Sequence, residues 1–454
     1  MDFDRSNKSL DALSKCKKGS STTIKMDKFI VDGRASLEGE VTLSGAKNSA
    51  LPIIVASLLA EGQYRLSNVP NLLDIQNLLN VLRGLGVSAR LIGNVLYLAT
   101  TGLAGTTVDR QSAGKIRYSL LLMGALLARS GHVRIAPPGG CKIGLRKYDL
   151  HLYGLERLGA EVETGDDYIE VRAPRGLKGA YVNFYFPSMT ATENIILAAV
   201  MAEGETVLNN AQRDPEIVDF VNFLKTMGAR ISGAGTGRII VEGGRKLHPV
   251  DYTVMPDRME LITFIAASAA TRGEIFIRSG RLKDIEPEAR VLKGMGISLY
   301  QDGEGLMVRP AQRFSPINIE AQIWPYLHSD AQPFFTVLAC LADGTSTITD
   351  LLYDKRFVYI GELSKMGADV QVVETDFIIP SGKHAQKAII TPVKTLKGAQ
   401  LTATDIRGGA AMLIAALAAE GRTVVSNIQQ IDRGYELIDK KLRKLGAHIE
   451  CLGR

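Results

Sequence analysis

One phrase recurs six times along this 454-residue chain, and it constrains the fold more than any single motif. An apolar helix ends in a small residue, a charged residue and a glycine, and a strand follows. The copies are VASLLAEGQYRL, GALLARSGHVRI, AAVMAEGETVL, AASAATRGEIFI, LACLADGTSTI and AALAAEGRTVV, turning at Gly62, Gly131, Gly204, Gly273, Gly344 and Gly421. Downstream of each comes a second helix ending in LxxLG or LxxMG. Gly86, Gly159, Gly228, Gly296, Gly367 and Gly446 stand where such a helix stops on a left-handed residue. Each unit of about 70 residues therefore reads strand, helix, strand, helix, strand, with a further strand in most copies. A single unit cannot bury its apolar helix faces alone, so several must pack together. Six units in a chain of two-domain length predict three per domain, around a pseudo-threefold axis.

That arrangement has a chemical consequence. Helices starting from equivalent turns of three units would aim their positive dipole ends at a common surface, and two such surfaces would frame a cleft suited to phosphate and carboxylate. The residues at those turns fit: Lys47 and Asn48, Lys115 and Arg117, Ser188 and Thr190, Asp257 and Arg258, Ser329 and Asp330, Asp405 and Arg407. A solvated surface accounts for any one of them. It accounts poorly for polar residues at all six turns ahead of apolar helices.

Composition excludes several classes. Hydrophobic content of 46% with 22% charge is that of a soluble globular protein, and the net charge of +6 is modest. Part of that charge lies in a Ser/Thr-rich stretch with Lys8, Lys15, Lys17, Lys18 and Lys25, which lacks the apolar core of a secretory signal and reads as a disordered tail over 1–25. No apolar run reaches bilayer-spanning length, and no aromatic-basic interleaving suggests nucleic acid. A cytoplasmic protein with neither membrane nor nucleic-acid partner is expected. Four cysteines without a CxxC or Cys/His cluster make neither a disulfide framework nor a metal site; Cys340, in FFTVLACLADG, reads as a buried structural thiol.

Cys141 is different. It sits in PPGGCKIGLRK, where prolines and glycines argue for an irregular loop, and Lys142, Arg146 and Lys147 favour the thiolate. The loop suits a reactive thiol meeting an anion, and equally accommodates an idle one.

LSGAKNSALP, PPGGCKIGLRKYDLHL, RDPEIVDFVNFL, ATDIRGGAAM and IDRGYELI, in this order and over nearly all the chain from Met26, resemble the enolpyruvyl transferases. The resemblance implies two inverse α/β-barrel-like domains, each of three β-α-β-α-β-β units. Residues 26–46 plus 256–454 would form one domain and 47–255 the other. It implies transfer of the enolpyruvyl group of phosphoenolpyruvate to the 3′-hydroxyl of UDP-N-acetylglucosamine, with release of phosphate. That reaction opens peptidoglycan synthesis and proceeds by addition and elimination through a tetrahedral ketal. No metal or organic cofactor is expected, and the protein would be a monomer or weak homo-oligomer.

By motif position, Cys141 matches the family's general acid, Asp330 the carboxylate that takes the acceptor proton, and Asp405 a participant in the elimination. Lys47 counts with these three as catalytic, and Lys47, Asn48, Arg146 and Arg433 match phosphoenolpyruvate contacts. Arg117, Arg146, Lys147, Tyr148, Asp149, Leu150, Ser188, Met189, Asp330 and Leu352 match the nucleotide-sugar side, and Arg407 and Arg258 complete the set. The related shikimate-pathway enzymes do without the glycine-framed cysteine.

The chain departs from the family pattern on the acceptor side. It reads WPYLHSDAQPF where GFPTD is common, FPSMTATEN where SVGATEN is typical, and IRGGAAM with two glycines after Arg407. His328 thereby precedes Asp330, either bonding a backbone carbonyl or orienting the aspartate. Two alternatives stay open: a paralogous enzyme for a different nucleotide or nucleotide sugar, and a non-catalytic binding protein.

Overall fold

A computed structural model describes residues 27–114, 116–137 and 147–453. Among these residues the strands form six four-stranded sheets, one per repeat. The unit containing Thr107–Val108, His132–Ile135, Glu161–Thr164 and Ile169–Arg172 shows the rule. Its first two strands pair in parallel, the last two form an antiparallel hairpin, and the final strand lies second from one edge.

Each unit's first helix is apolar on all sides and lies inside. Lys47–Ala56, Leu121–Ser130 and Met189–Ala199 pack in one half, and Arg258–Thr271, Gln332–Cys340 and Ile406–Ala418 in the other. Cys340 is buried there, as its surroundings predict. Buried apolar residues form two clusters. One is drawn from Ala50 to Val254, and the other combines Phe29–Leu43 with Met259–Ile449. All six LxxLG/LxxMG glycines have positive φ, from +86° at Gly367 to +107° at Gly228, which an L-residue side chain resists. In the fourth copy of the first phrase Arg272 (φ +59°), not Gly273, takes the left-handed turn.

Three sheets depart from simple repetition. Gly39–Thr42 pairs with Ile275–Arg278, and Asp251–Thr253 pairs with Gln63–Ser67, so each half completes one sheet with a strand from beyond a crossover. The two crossovers run antiparallel, bridged at Gly45 and Pro256: Ala46 N–H donates to Met255 O (2.7 Å) and Asp257 N–H to Ser44 O (2.9 Å). Asp257 Oδ1 caps Arg258–Thr271 through the amides of Met259 and Glu260, while Oδ2 accepts from the Lys47 amide at the start of Lys47–Ala56 (3.3 Å). One carboxylate thus holds the first turns of helices in both halves. The sixth unit lacks a strand of its own, and Lys28–Asp32 fills the place between Arg422–Ser426 and His448–Leu452.

Candidate active site

The two halves enclose a cleft of about 280 Å³, and the starts of five of the six units' inner helical segments line it, through Lys47, Arg117, Ser188, Asp330 and Asp405. The convergence expected from the repeats is therefore present, and the unpaired N–H groups of helix ends supply positive potential there.

On one wall Asp74 holds two cations. Lys47 Nζ lies 3.1 Å from Oδ2 and Arg433 Nε 2.9 Å from Oδ1, so this carboxylate joins a lysine of its own half to an arginine of the other. Burial works against the charged form of Asp74, yet Lys47 and Arg433 together hold its carboxyl below the usual range. Asn48 lines the same cleft. Asp74 escaped the sequence reading because an aspartate in the first turn of an amphipathic helix is ordinary dipole compensation.

On the facing wall stands Asp330. Burial penalises its charge, but Arg356 (Nη2 to Oδ1, 3.4 Å) and Arg407 (Nε to Oδ2, 3.2 Å) hold the carboxyl far below the ordinary range. Arg356 also donates to Asp405 Oδ1 (Nη1, 3.3 Å) and Ser329 O (Nε, 3.0 Å). It is only 1% exposed. Asp405 in turn caps its helix through the amides of Arg407 and Gly408. Sequence reasoning missed Arg356, since a DKR run ahead of an apolar stretch looks like a solvated turn. His328 Nδ1 accepts the Asp330 amide (3.0 Å), instead of the ring donating to a carbonyl, and Glu288 Oε1 accepts the His328 amide (2.8 Å). Burial, then the nearby Arg258, lowers the His328 pKa and favours the neutral ring.

The remaining candidates separate by position. Arg117, Lys147, Asp149, Leu150, Ser188, Met189, Leu352 and Arg407 line the cleft. Arg117 Nη2 donates to Lys147 O (2.9 Å), Tyr185 Oη to Asp149 Oδ2 (2.6 Å), and Ser188 caps Met189–Ala199 through the Ala191 amide (3.4 Å). Behind Met189, His151 lies between Thr190 Oγ1 and Asn194 Nδ2, each 3.1 Å away. Burial, then Arg117, pushes the His151 pKa down to about 3, so it serves as a neutral strut.

Two described candidates lie elsewhere. Tyr148 packs on the apolar core of its half and not in the cleft. Arg258 is buried below the cleft floor, bound to Asp214 Oδ1 (2.6 Å) and Glu216 (2.9 and 3.0 Å), which ties the two halves together. Cys141 and Arg146 lie outside the described residues, as does Lys115. Among the described residues no group of three or more His, Cys, Asp or Glu could hold a metal ion, and no helix is long and apolar enough to cross a membrane.

Comparison with known proteins extends this geometry. The family model for EPSP synthase (3-phosphoshikimate 1-carboxyvinyltransferase) matches residues 31–442. A UDP-N-acetylglucosamine 1-carboxyvinyltransferase 2 of Carboxydothermus hydrogenoformans is 42% identical over 94% of this chain and 99% of its own length. A UDP-N-acetylglucosamine 1-carboxyvinyltransferase of Dinoroseobacter shibae is 41% identical over the same shares. Among solved structures, the enolpyruvyl transferase NikO from Streptomyces tendae superposes with a TM-score of 0.82 at 26% identity, covering 94% of this chain and 99% of that one. An EPSP synthase from Acinetobacter baumannii shares the fold, with a TM-score of 0.71 at 19% identity over 94% of this chain and all of that one.

Proposed function

The chain belongs to the enolpyruvyl transferase family, and from that premise we propose that it moves the enolpyruvyl group of phosphoenolpyruvate onto the 3′-hydroxyl of UDP-N-acetylglucosamine and releases phosphate. The observation that carries this reading is the two-sided cleft. Lys47 and Arg433 offer charge to a small dianion on one wall, and Asp330 is kept ionised by two arginines on the other.

In the addition step Cys141 gives a proton to the methylene carbon of phosphoenolpyruvate. The acceptor oxygen bonds to C2 as its own proton passes to Asp330. The tetrahedral ketal then loses a methyl proton, the double bond re-forms and phosphate leaves, with Asp405 serving this proton transfer. Lys47, Arg433 and Arg146 hold the phosphate and carboxylate, and the helix starts add positive potential. Arg356 keeps Asp330 and Asp405 at a fixed spacing, so the groups for the two proton transfers stay in register. Arg117, Lys147 and Ser188 lie on the half away from Asp330, and in this reading they hold the nucleotide diphosphate. In this reading the protein works in the cytoplasm, at the opening of peptidoglycan synthesis.

The test is phosphate release from phosphoenolpyruvate on addition of UDP-N-acetylglucosamine. Release that ignores the nucleotide sugar, or none at all, overturns the reading. A second reading, a different nucleotide-sugar acceptor, is favoured by the bulky Phe186 and Met189 in the cleft wall. A panel of UDP-sugars under the same assay decides between them.

A further inference from the structure

The fifth unit differs from its siblings in one respect. Its terminal hairpin, Asp369–Ile378 with His384–Thr391, has strands of ten and eight residues. The hairpins Ser88–Ile92/Val95–Ala99, Glu161–Thr164/Ile169–Arg172, Arg230–Ser232/Arg238–Glu242 and Ser298–Gln301/Gly305–Arg309 have strands of three to five. The extra length is not loose. A register shift between Glu374 and Ile378 bends the ribbon. His384 Nδ1 lies 2.8 Å from Thr375 O, and Ile379 is 2% exposed. The tip closes as a tight turn, with Ile379 N–H donating to Lys383 O (2.9 Å) and Gly382 N–H to Ile379 O (2.8 Å).

That tip reaches the cleft. Pro380 and Ser381 line it together with Leu352, Tyr353 and Asp330, all from the same unit. Ser381 Oγ is buried and has no hydrogen-bond partner among the described residues. A buried hydroxyl without a partner costs roughly 1–3 kcal/mol, so a folded protein rarely retains one without a use. One χ1 rotation redirects it, and it can then both donate and accept.

We propose that the extended hairpin is a selectivity element, and that Ser381 at its tip recognises an uncharged polar substituent, a hydroxyl or amide, on the sugar ring of the acceptor. This rests on the nucleotide-sugar reading given above. The assignment to the sugar follows from position. Ser381 shares its wall with Asp330, which faces the reacting hydroxyl, whereas the cations suited to the diphosphate, Arg117 and Lys147, belong to the opposite half.

The experiment measures steady-state phosphate release and direct calorimetric binding of UDP-N-acetylglucosamine to wild type, Ser381→Ala, Ser381→Thr and a variant with 375–385 replaced by Asn-Gly. Ser381→Ala should raise the acceptor KM and Kd about fivefold, the worth of one neutral hydrogen bond. The KM for phosphoenolpyruvate should stay put, and Ser381→Thr should recover most of the loss. The shortened hairpin should lose discrimination among UDP-N-acetylglucosamine, UDP-N-acetylgalactosamine and UDP-glucose. Unchanged acceptor Kd in Ser381→Ala, or equal shifts in both substrates' KM, overturns the proposal. A wild type that neither binds nor turns over UDP-N-acetylglucosamine defeats the functional reading instead. The hairpin is then judged on whichever of the other UDP-sugars binds, and equal affinity in wild type and Ser381→Ala overturns it there too.

Discussion

Arg356 offers the sharpest test of how the acceptor wall works. The guanidinium is buried and makes three contacts: Ser329 O at 3.0 Å, Asp405 Oδ1 at 3.3 Å and Asp330 Oδ1 at 3.4 Å. Arg356→Gln removes the cation and leaves Asp330 with Arg407 alone. An opposite charge at such distances lowers a carboxyl pKa by about 1–3 units, so its loss should raise Asp330 by that amount, about 1.4–4 kcal/mol in favour of the protonated form. The folded pKa of Asp330 lies below its unfolded value of about 3.9. Its contribution to stability is therefore complete above that value and is lost as pH falls through the folded pKa. The wild-type profile of kcat/KM should show no Asp330 limb down to the onset of acid unfolding. In Arg356→Gln the Asp330 titration should move up by about 1–3 units and bring an acidic limb into the low end of the profile, because protonated Asp330 cannot receive the hydroxyl proton. The assay is phosphate release from the onset of acid unfolding up to about pH 8, after urea unfolding has shown the variant folded, since removing one partner of a buried pair costs about 3–5 kcal/mol. Arg356→Lys keeps the charge without the fork, and should show no such limb while lowering kcat. A folded Arg356→Gln protein whose profile shows no acidic limb refutes the reasoning.

Three further outcomes are expected. Asp74→Asn leaves Lys47 and Arg433 close together without their shared anion, so the ligand-free protein should lose about 3–5 kcal/mol. Phosphoenolpyruvate should then raise Tm more in the variant than in wild type, and equal shifts would show that Asp74 does not stand where the substrate anion binds. Cys141→Ser should lose most phosphate release, while Cys141→Asp should keep some and resist fosfomycin; full activity in the serine variant removes the general-acid role. Gly367→Ala isolates a backbone cost, for a Cβ there meets nothing within 4 Å although φ is +86°. The urea midpoint should fall by the equivalent of about 1–2 kcal/mol with m unchanged, and an unmoved midpoint would count against a strained left-handed cap.

The repeat architecture was legible because glycines with positive φ punctuate every unit, and their chemistry is local. The convergence of helix starts on one cleft followed from that periodicity, and the candidates at the turns, Lys47, Ser188, Asp330 and Asp405, are found there. Long-range pairing was not legible. Nothing in Gly39–Thr42 or Asp251–Thr253 announces that each strand completes a sheet beyond a crossover, since pairing is decided by neighbours far along the chain. Arg356 and Asp74 were hidden for a related reason. Charged residues in turns and first helical turns are common on surfaces, and only tertiary packing buries these two. The place of Arg258 under the cleft floor depends on Asp214 and Glu216, some 40 residues earlier and in the other half.

The strand Lys28–Asp32 pairs with Arg422–Ser426 and His448–Leu452, partners synthesised long after it. Asp32 and Arg422, joined in this sheet, are separated by 390 positions. At about 5–20 residues per second, the strand must wait roughly 20–80 s with its edges unmatched. The segment between the crossovers needs no such delay, apart from the strand exchanged at its own boundary. The order of birth thus favours a nascent chain in which the Lys47 half consolidates first and the Asp330 half closes only after Arg422–Ser426 and His448–Leu452 have been made. During that interval Phe29, Ile30 and Val31 form an exposed β-prone edge, the stretch a chaperone would need to shield.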